Sequence, residues 1–362
     1  MKGSARDEAA DGMRQLPKLG AGNDRRREVV RLGEAIRERV LAGGQVRMLR
    51  SFELARFPYP TRYGLRDALS LPWPYLCLAN RVFVVRYDDF EGRLRTLLVS
   101  PSDVDANAET PFFKGLVDAL GPARGVLQPR ITKRGIDVLG ALAACGLAPG
   151  DVDFITYDHL HTQDLRRWLG SAGTTGPQSR LRQPREGLLP NARLLVMRAE
   201  WQSVHALLPP QLPWYCPGGV AGIDPERVVQ LDGSVELGRG VALVATPGHT
   251  EGNHSIVLGW GDGLTVTSEN GLSPDSYAPA ASAIPGLRAY AERGMDVVLN
   301  GNTLERGLEQ YLSMVLEKTI AGPSSRDPRF PAFLASSELT PAWYAPGIAP
   351  TLAYGDVQFG AL

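Results

Sequence analysis

Five histidines occur in this chain of 362 residues, and two of them stand one residue apart at the end of an apolar run. Val152, Phe154 and Ile155 follow the turn residues Pro149-Gly150 and predict a buried strand whose C-terminal lip is Tyr157-Asp158-His159-Leu160-His161. Alternate side chains of an extended lip share a face, so His159 and His161 are able to converge on one point, as metal ligands do. Alone, such a pair is more often two ordinary polar histidines. A second apolar strand, Val241–Ala245, changes that reading by running into Thr246-Pro247-Gly248-His249-Thr250-Glu251-Gly252-Asn253-His254. Four of the five histidines thus lie at two strand exits.

With both motifs in view, the chain resembles the metallo-β-lactamase-fold superfamily of metallohydrolases over roughly residues 78–320. The family pattern is HxHxDH after a strand, a PGHTxG loop, an acidic residue closing a further strand, and a last histidine near the C-terminus. His159 and His161 match the first two positions, residues 247–252 match the loop, and Glu269 stands where the family usually has aspartate. The resemblance implies an α/β fold, an αββα sandwich, holding a metal on His159, His161 and His249. The pattern departs at Gln163-Asp164, where the family has Asp-His, and at Asn302, where it has the last histidine. Asp164, Glu269 and Asn302 then offer only oxygen donors to a second ion. One firmly bound zinc is expected, with a second ion, manganese or iron(II), taken up by the harder site or absent.

Each of these residues has another reading. Glu269 is either a ligand or the acceptor of a turn at Asn270-Gly271. Asn302 is either a ligand or the cap of a helix running through Leu308, Leu312 and Val315. Asp164 is a candidate general base, and Asp158 and His254 are candidates to orient ligand imidazoles from behind. His205, alone on an expected helix over residues 198–208, is set aside. The long stretch 165–189 carries Arg180, Arg182 and Arg185, which suit an anionic substrate group if they are not simply solvated.

Around this core the expected organisation is a disordered segment over residues 1–22 and an N-terminal helix and extension over 23–77. The metallo-β-lactamase-like domain follows over 78–322. A C-terminal tail over 323–362, with Phe330, Phe333, Trp343 and Tyr344, would pack on the domain or join two copies as a homodimer. Val29, Leu32, Ile36 and Val40 form the stripe of the N-terminal helix, which Gly43-Gly44 ends. A further helix is expected from Thr132 to Gly146.

Lysine and arginine total 39 against 39 aspartates and glutamates, so no net field favours nucleic acid or an anionic membrane. A small-molecule substrate is the expected partner. Cys77, Cys145 and Cys216 lack CxxC spacing, and no apolar run reaches the length of a membrane span, which together suggest a cytoplasmic protein. The expected function is a metal-dependent hydrolase using an activated water on an ester, lactone, thioester or phosphoester. A mononuclear iron oxidoreductase of dioxygenase type and a non-catalytic binding protein on the same scaffold are the alternatives.

Overall fold

A computed structural model describes residues 22–68, 72–172, 185–261, 263–301 and 306–361. Its strands in chain order are β1 (Met48–Pro60), β2 (Tyr75–Asp88), β3 (Leu94–Val99), β4 (Lys133–Arg134), β5 (Phe154–Thr156), β6 (Arg193–Met197) and β7 (Val228–Leu231). They continue with β8 (Val235–Gly238), β9 (Val241–Ala245), β10 (His254–Trp260), β11 (Gly263–Thr267), β12 (Ser337–Thr340) and β13 (Gln358–Gly360). The larger sheet runs β13-β1-β2-β3-β5-β6-β7, with β4 also paired to β1 and β12 to β2. The smaller runs β11-β10-β9-β8. The helices that matter here are α1 (Gly22–Gly43), α2 (Pro111–Asp118), α3 (Arg124–Ile131), α4 (Val138–Ala144), α5 (Arg198–Val204) and α6 (Gly307–Ala321).

Alternation along single strands produces four layers, because successive strand residues face opposite sides. Val82 and Val84 of β2 pack under α4 with Val138, Ala141 and Leu142, while Phe83 and Val85 face Leu243, Ile256 and Leu258 of the smaller sheet. Ala242, Val244 and Val257 use the other face of the smaller sheet to cover Val29, Ile36 and Val40 of α1 and Leu312, Val315 and Leu316 of α6. The result is an αββα sandwich.

The terminal segments are part of the sheet. β1 pairs with β2 from Met48↔Arg86 to Pro60↔Tyr75, and β12 and β13 add to β2 and β1 from the other end of the chain. Phe330 and Phe333 are buried and Trp343 is exposed. The helix expected from Thr132 begins instead at Val138. Asp137 caps it by accepting from the Gly140 amide at 2.7 Å, and Lys133-Arg134 are drawn into pairing with Arg56 and Ala55. Among the described residues no helix is long and apolar enough to cross a membrane.

β3, β5 and β6 run parallel, and the loop after β5 meets the loops after β9 and β11. A crevice outside strand ends is where layered α/β sheets bind ligands.

Candidate metal centre

β5 ends at Thr156, and the chain carries Asp158, His159 and His161 inward beyond it. The loop after β9 brings His249 against them, with both loop glycines required by close packing. Gly248 has φ +147°, and a Cβ on it would lie 2.2 Å from Gln310 Cα. A Cβ on Gly252 would lie 2.1 Å from the Glu200 amide nitrogen. His159, His161 and His249 consequently stand with ring centroids 4.6, 4.5 and 5.2 Å apart, and one nitrogen from each falls within 4.8 Å of the others.

These three rings are buried, yet Nδ1 of His161 and both nitrogens of His249 make no hydrogen bond of normal geometry. A buried polar atom without a partner costs about 1–3 kcal/mol, so the orphaned nitrogens fit a bound cation. His159 differs, because its Nδ1 faces Asp158 Oδ2 at 3.1 Å and its Nε2 points to the cluster, 3.9 Å from Glu269 Oε2. Burial opposes a charge on His159, but Asp158 overrides it and raises the ring to about 9. Burial and the neighbouring His159 push His161 and His249 well below the usual imidazole value, leaving neutral lone pairs.

Glu269, two residues beyond β11, is held by its surroundings. One carboxylate oxygen accepts from the hydroxyls of Ser336 and Ser337, and the Glu269 amide donates to Asp158 Oδ2 at 2.6 Å. Asp158, His159 and Glu269 form a second close group sharing His159 with the first. Burial, with the Asp158 charge, raises the Glu269 carboxyl.

Other expectations change. Asp164 is taken up by Arg166, which donates from Nε at 2.8 Å and from Nη2 at 2.6 Å, and it is absent from both groups of converging ligand atoms. The physical reason is the one turn of helix at Arg166–Leu169, which buries the guanidinium and demands a counter-charge. His254 turns Nε2 to the Thr156 hydroxyl at 3.0 Å and makes no hydrogen bond to a ligand imidazole; burial lowers it to about 4. Arg185 is tied by its backbone to Ser171, and Arg167 pairs with Asp103 at 3.0 Å. Arg180, Arg182 and Asn302 lie outside the described residues.

Sequence reasoning passed over Glu200, whose place in the first turn of α5 suggests only a helix-dipole partner. The side chain is fully buried, and burial raises its carboxyl. Oε1 accepts from the Leu160 amide at 2.8 Å and Oε2 from the Thr250 hydroxyl at 2.6 Å, so one carboxylate ties both histidine loops together. Asn270 and Glu317 brace the other side. The His249 amide donates to Asn270 Oδ1 at 3.2 Å, and Asn270 Nδ2 donates to Glu317 Oε1 at 2.8 Å.

Asp158, His159, His161 and Glu269 line a cavity of about 730 Å³. Phe112 and Phe113 of α2 wall it together with Phe57, Tyr59 and Trp214, and the Phe112 and Trp214 rings stand 4.3 Å apart. The Trp214 ring lies 6.1 Å from that of His161, which brings this aromatic wall to the edge of the histidine cluster.

No family model matches the chain, and no curated protein matches it. Among solved structures it is similar to a probable metal-dependent hydrolase from Staphylococcus aureus, at 11% identity over 74% of this chain and 82% of that one, with a TM-score of 0.49. It is also similar to AidC, a dizinc quorum-quenching lactonase, at 13% identity over 88% and 95% of the two chains, with a TM-score of 0.47. A third is the hydrolase AbOPH of the beta-lactamase superfamily, at 12% identity over 87% and 95%, with a TM-score of 0.44.

Proposed function

We propose that this chain is a metal-dependent hydrolase that holds one divalent ion on His159, His161 and His249, with Glu269 beside it, and cleaves an ester or lactone with an apolar acyl group. The observation that carries this is the convergence of three buried imidazoles, His161 and His249 with orphaned nitrogens, beside an aromatic cavity that His159 and His161 line. Neutral imidazoles suit zinc, and three of them leave a position open. An ion held there supplies a Lewis acid and a water acidic enough to lose its proton near neutral pH.

The remaining work belongs to the chain. Asp158 accepts from Nδ1 of His159 and so keeps the Nε2 lone pair directed at the cluster. Ser336 and Ser337 occupy one oxygen of Glu269, leaving Oε2 toward His159, where it can accept a proton from an attacking water. Phe112, Phe113 and Trp214 take up an acyl chain and exclude bulk water. Asp164 is bound to Arg166, position 163 is glutamine, and in the second donor group Asp158 is already engaged by His159 and the Glu269 amide, which among the described residues favours a mononuclear centre.

Elemental mass spectrometry on protein purified without a metal-binding tag tests the assignment. About one ion per chain is expected in the wild type, and His159→Ala and His249→Ala should each lose most of it. Full metal retention in both variants would refute the ligand set.

A further inference from the structure

Ester cleavage moves negative charge onto the carbonyl oxygen, and a centre with one ion has no second cation to meet it. An N–H donor beside the histidines can take that part. Donors next to Glu269 are committed, since the Ser336 and Ser337 hydroxyls hold its carboxylate and Asn300 Nδ2 donates to its carbonyl at 3.2 Å. Gln163 differs. It lies two residues beyond His161, is half-buried, and lines the cavity with Asp158, His159, His161 and Glu269. Its side-chain amide makes no hydrogen bond among the described residues, and Oε1 is buried. An amide left so is destabilising until a ligand engages it.

The backbone at this point is strained and firmly held. Thr162, between His161 and Gln163, has φ +62°, a left-handed value that a β-branched residue rarely adopts. Its amide donates to the Trp214 carbonyl at 2.8 Å, and the Gln163 amide donates to the Leu160 carbonyl at 3.3 Å. Gly219 packs so closely on the other side that a Cβ there would lie 2.5 Å from the Gln163 carbonyl oxygen. Among the described residues, the non-glycine positions with positive φ are Arg66, Ser100 and Thr162, and both Ser100 and Thr162 line the cavity. Such strain persists only where the surroundings enforce it, and it gathers where a side chain is placed for function. The fold thus fixes the Gln163 main chain and leaves its side chain unengaged.

We infer that Gln163 is a catalytic residue that donates from Nε2 to the carbonyl oxygen of the ester or lactone and meets the charge that develops there. This deepens the hydrolase reading and rests on it. The water oxygen bonds to the carbonyl carbon, the water proton passes to Glu269, and the carbonyl π pair moves to the oxygen that Gln163 faces. When that pair returns, the bond to the leaving oxygen breaks, and the proton on Glu269 passes to the leaving oxygen. A carboxylate at position 163 would repel the same charge, whereas a carboxamide presents N–H to it.

Full-length protein carrying its ion is assayed on p-nitrophenyl octanoate. Gln163→Leu keeps much of the volume and removes the N–H, so kcat should fall about 100-fold with KM within about threefold and the ion content unchanged. Trp73 and Trp214 line the cavity, so intrinsic fluorescence reads binding without turnover. Methyl octylphosphonate, a tetrahedral monoanion, should bind Gln163→Leu about tenfold more weakly than wild type. The trigonal, uncharged 2-decanone should bind both forms equally, which also certifies the cavity. A variant that matches wild type in kcat and phosphonate affinity, or that loses its ion or its ketone binding, would overturn the donor. Wild type that leaves the ester intact yet shows the Gln163-dependent phosphonate preference would refute the hydrolase reading alone. Hydrolysis by wild type and variant alike, with equal phosphonate binding, would refute the donor alone.

Discussion

Replacing Asp164 by asparagine should cost stability and leave the metal in place. The Asp164 carboxylate accepts from Arg166 Nε at 2.8 Å, from Nη2 at 2.6 Å and from the Arg166 amide at 3.1 Å, and the two side chains are only 8% and 6% exposed. Asparagine keeps the shape but loses the charge, and its amide group faces a guanidinium N–H that also donates. Removing one partner of a buried ion pair costs about 3–5 kcal/mol, and the one guanidinium bond that asparagine retains, at Oδ1, returns about 1 kcal/mol. A net loss of roughly 2–4 kcal/mol is expected. Urea unfolding of wild type and Asp164→Asn at neutral pH measures it, and elemental analysis of the folded variant at low temperature measures the ion. An unchanged unfolding midpoint accompanied by loss of metal would return Asp164 to the ligand set and overturn the reasoning.

Glu200→Gln should weaken metal binding about 10–100-fold, because the carboxylate that joins the Leu160 amide to the Thr250 hydroxyl positions both histidine loops. Competition against a chromophoric chelator reads this, and wild-type affinity would make Glu200 a purely structural acid. Asp89 governs an acid-range effect far from the site. Burial alone would raise its carboxyl, but the Arg93 amide and the Arg95 and Arg93 guanidinium groups bring it down to about 2. A folded value below the ordinary carboxylate value means stability that is present above that ordinary value and lost as pH falls through about 2. Asp89→Asn should therefore unfold at lower urea than wild type at neutral pH, with the gap closing towards pH 2. A gap that stays constant across the acid range would show that Asp89 contributes through packing instead.

Much of the centre was legible because its signals are local. Strand-forming runs before His159 and His249 and the turn residues Pro149-Gly150 and Pro247-Gly248 sit close in the chain to the candidate ligands they place. Glu269 was reachable in the same way, from a short apolar strand ending two residues earlier. Asp164 misled because a carboxylate beside a histidine motif looks identical whether it meets an ion or a guanidinium. Its partner is only two residues away, yet the choice depends on whether Arg166 is buried, and burial is a property of the fold. His254 misled for the same reason, since its partner Thr156 lies 98 positions earlier.

By itself, then, the sequence pointed to the αββα layering through its resemblance to a known fold, and to the three candidate histidines through their place after strands. Tertiary structure decided everything that depends on residues distant in the chain. It set Glu200 between the two histidine loops, Ser336 and Ser337 against Glu269, and Lys133 opposite Arg56. It also built the cavity wall from Phe57, Phe112 and Trp214. The physical reason is that periodicity and turn chemistry act over a few residues, whereas the pairing of charges and the enclosure of a cavity require groups whose separation only the packed chain defines.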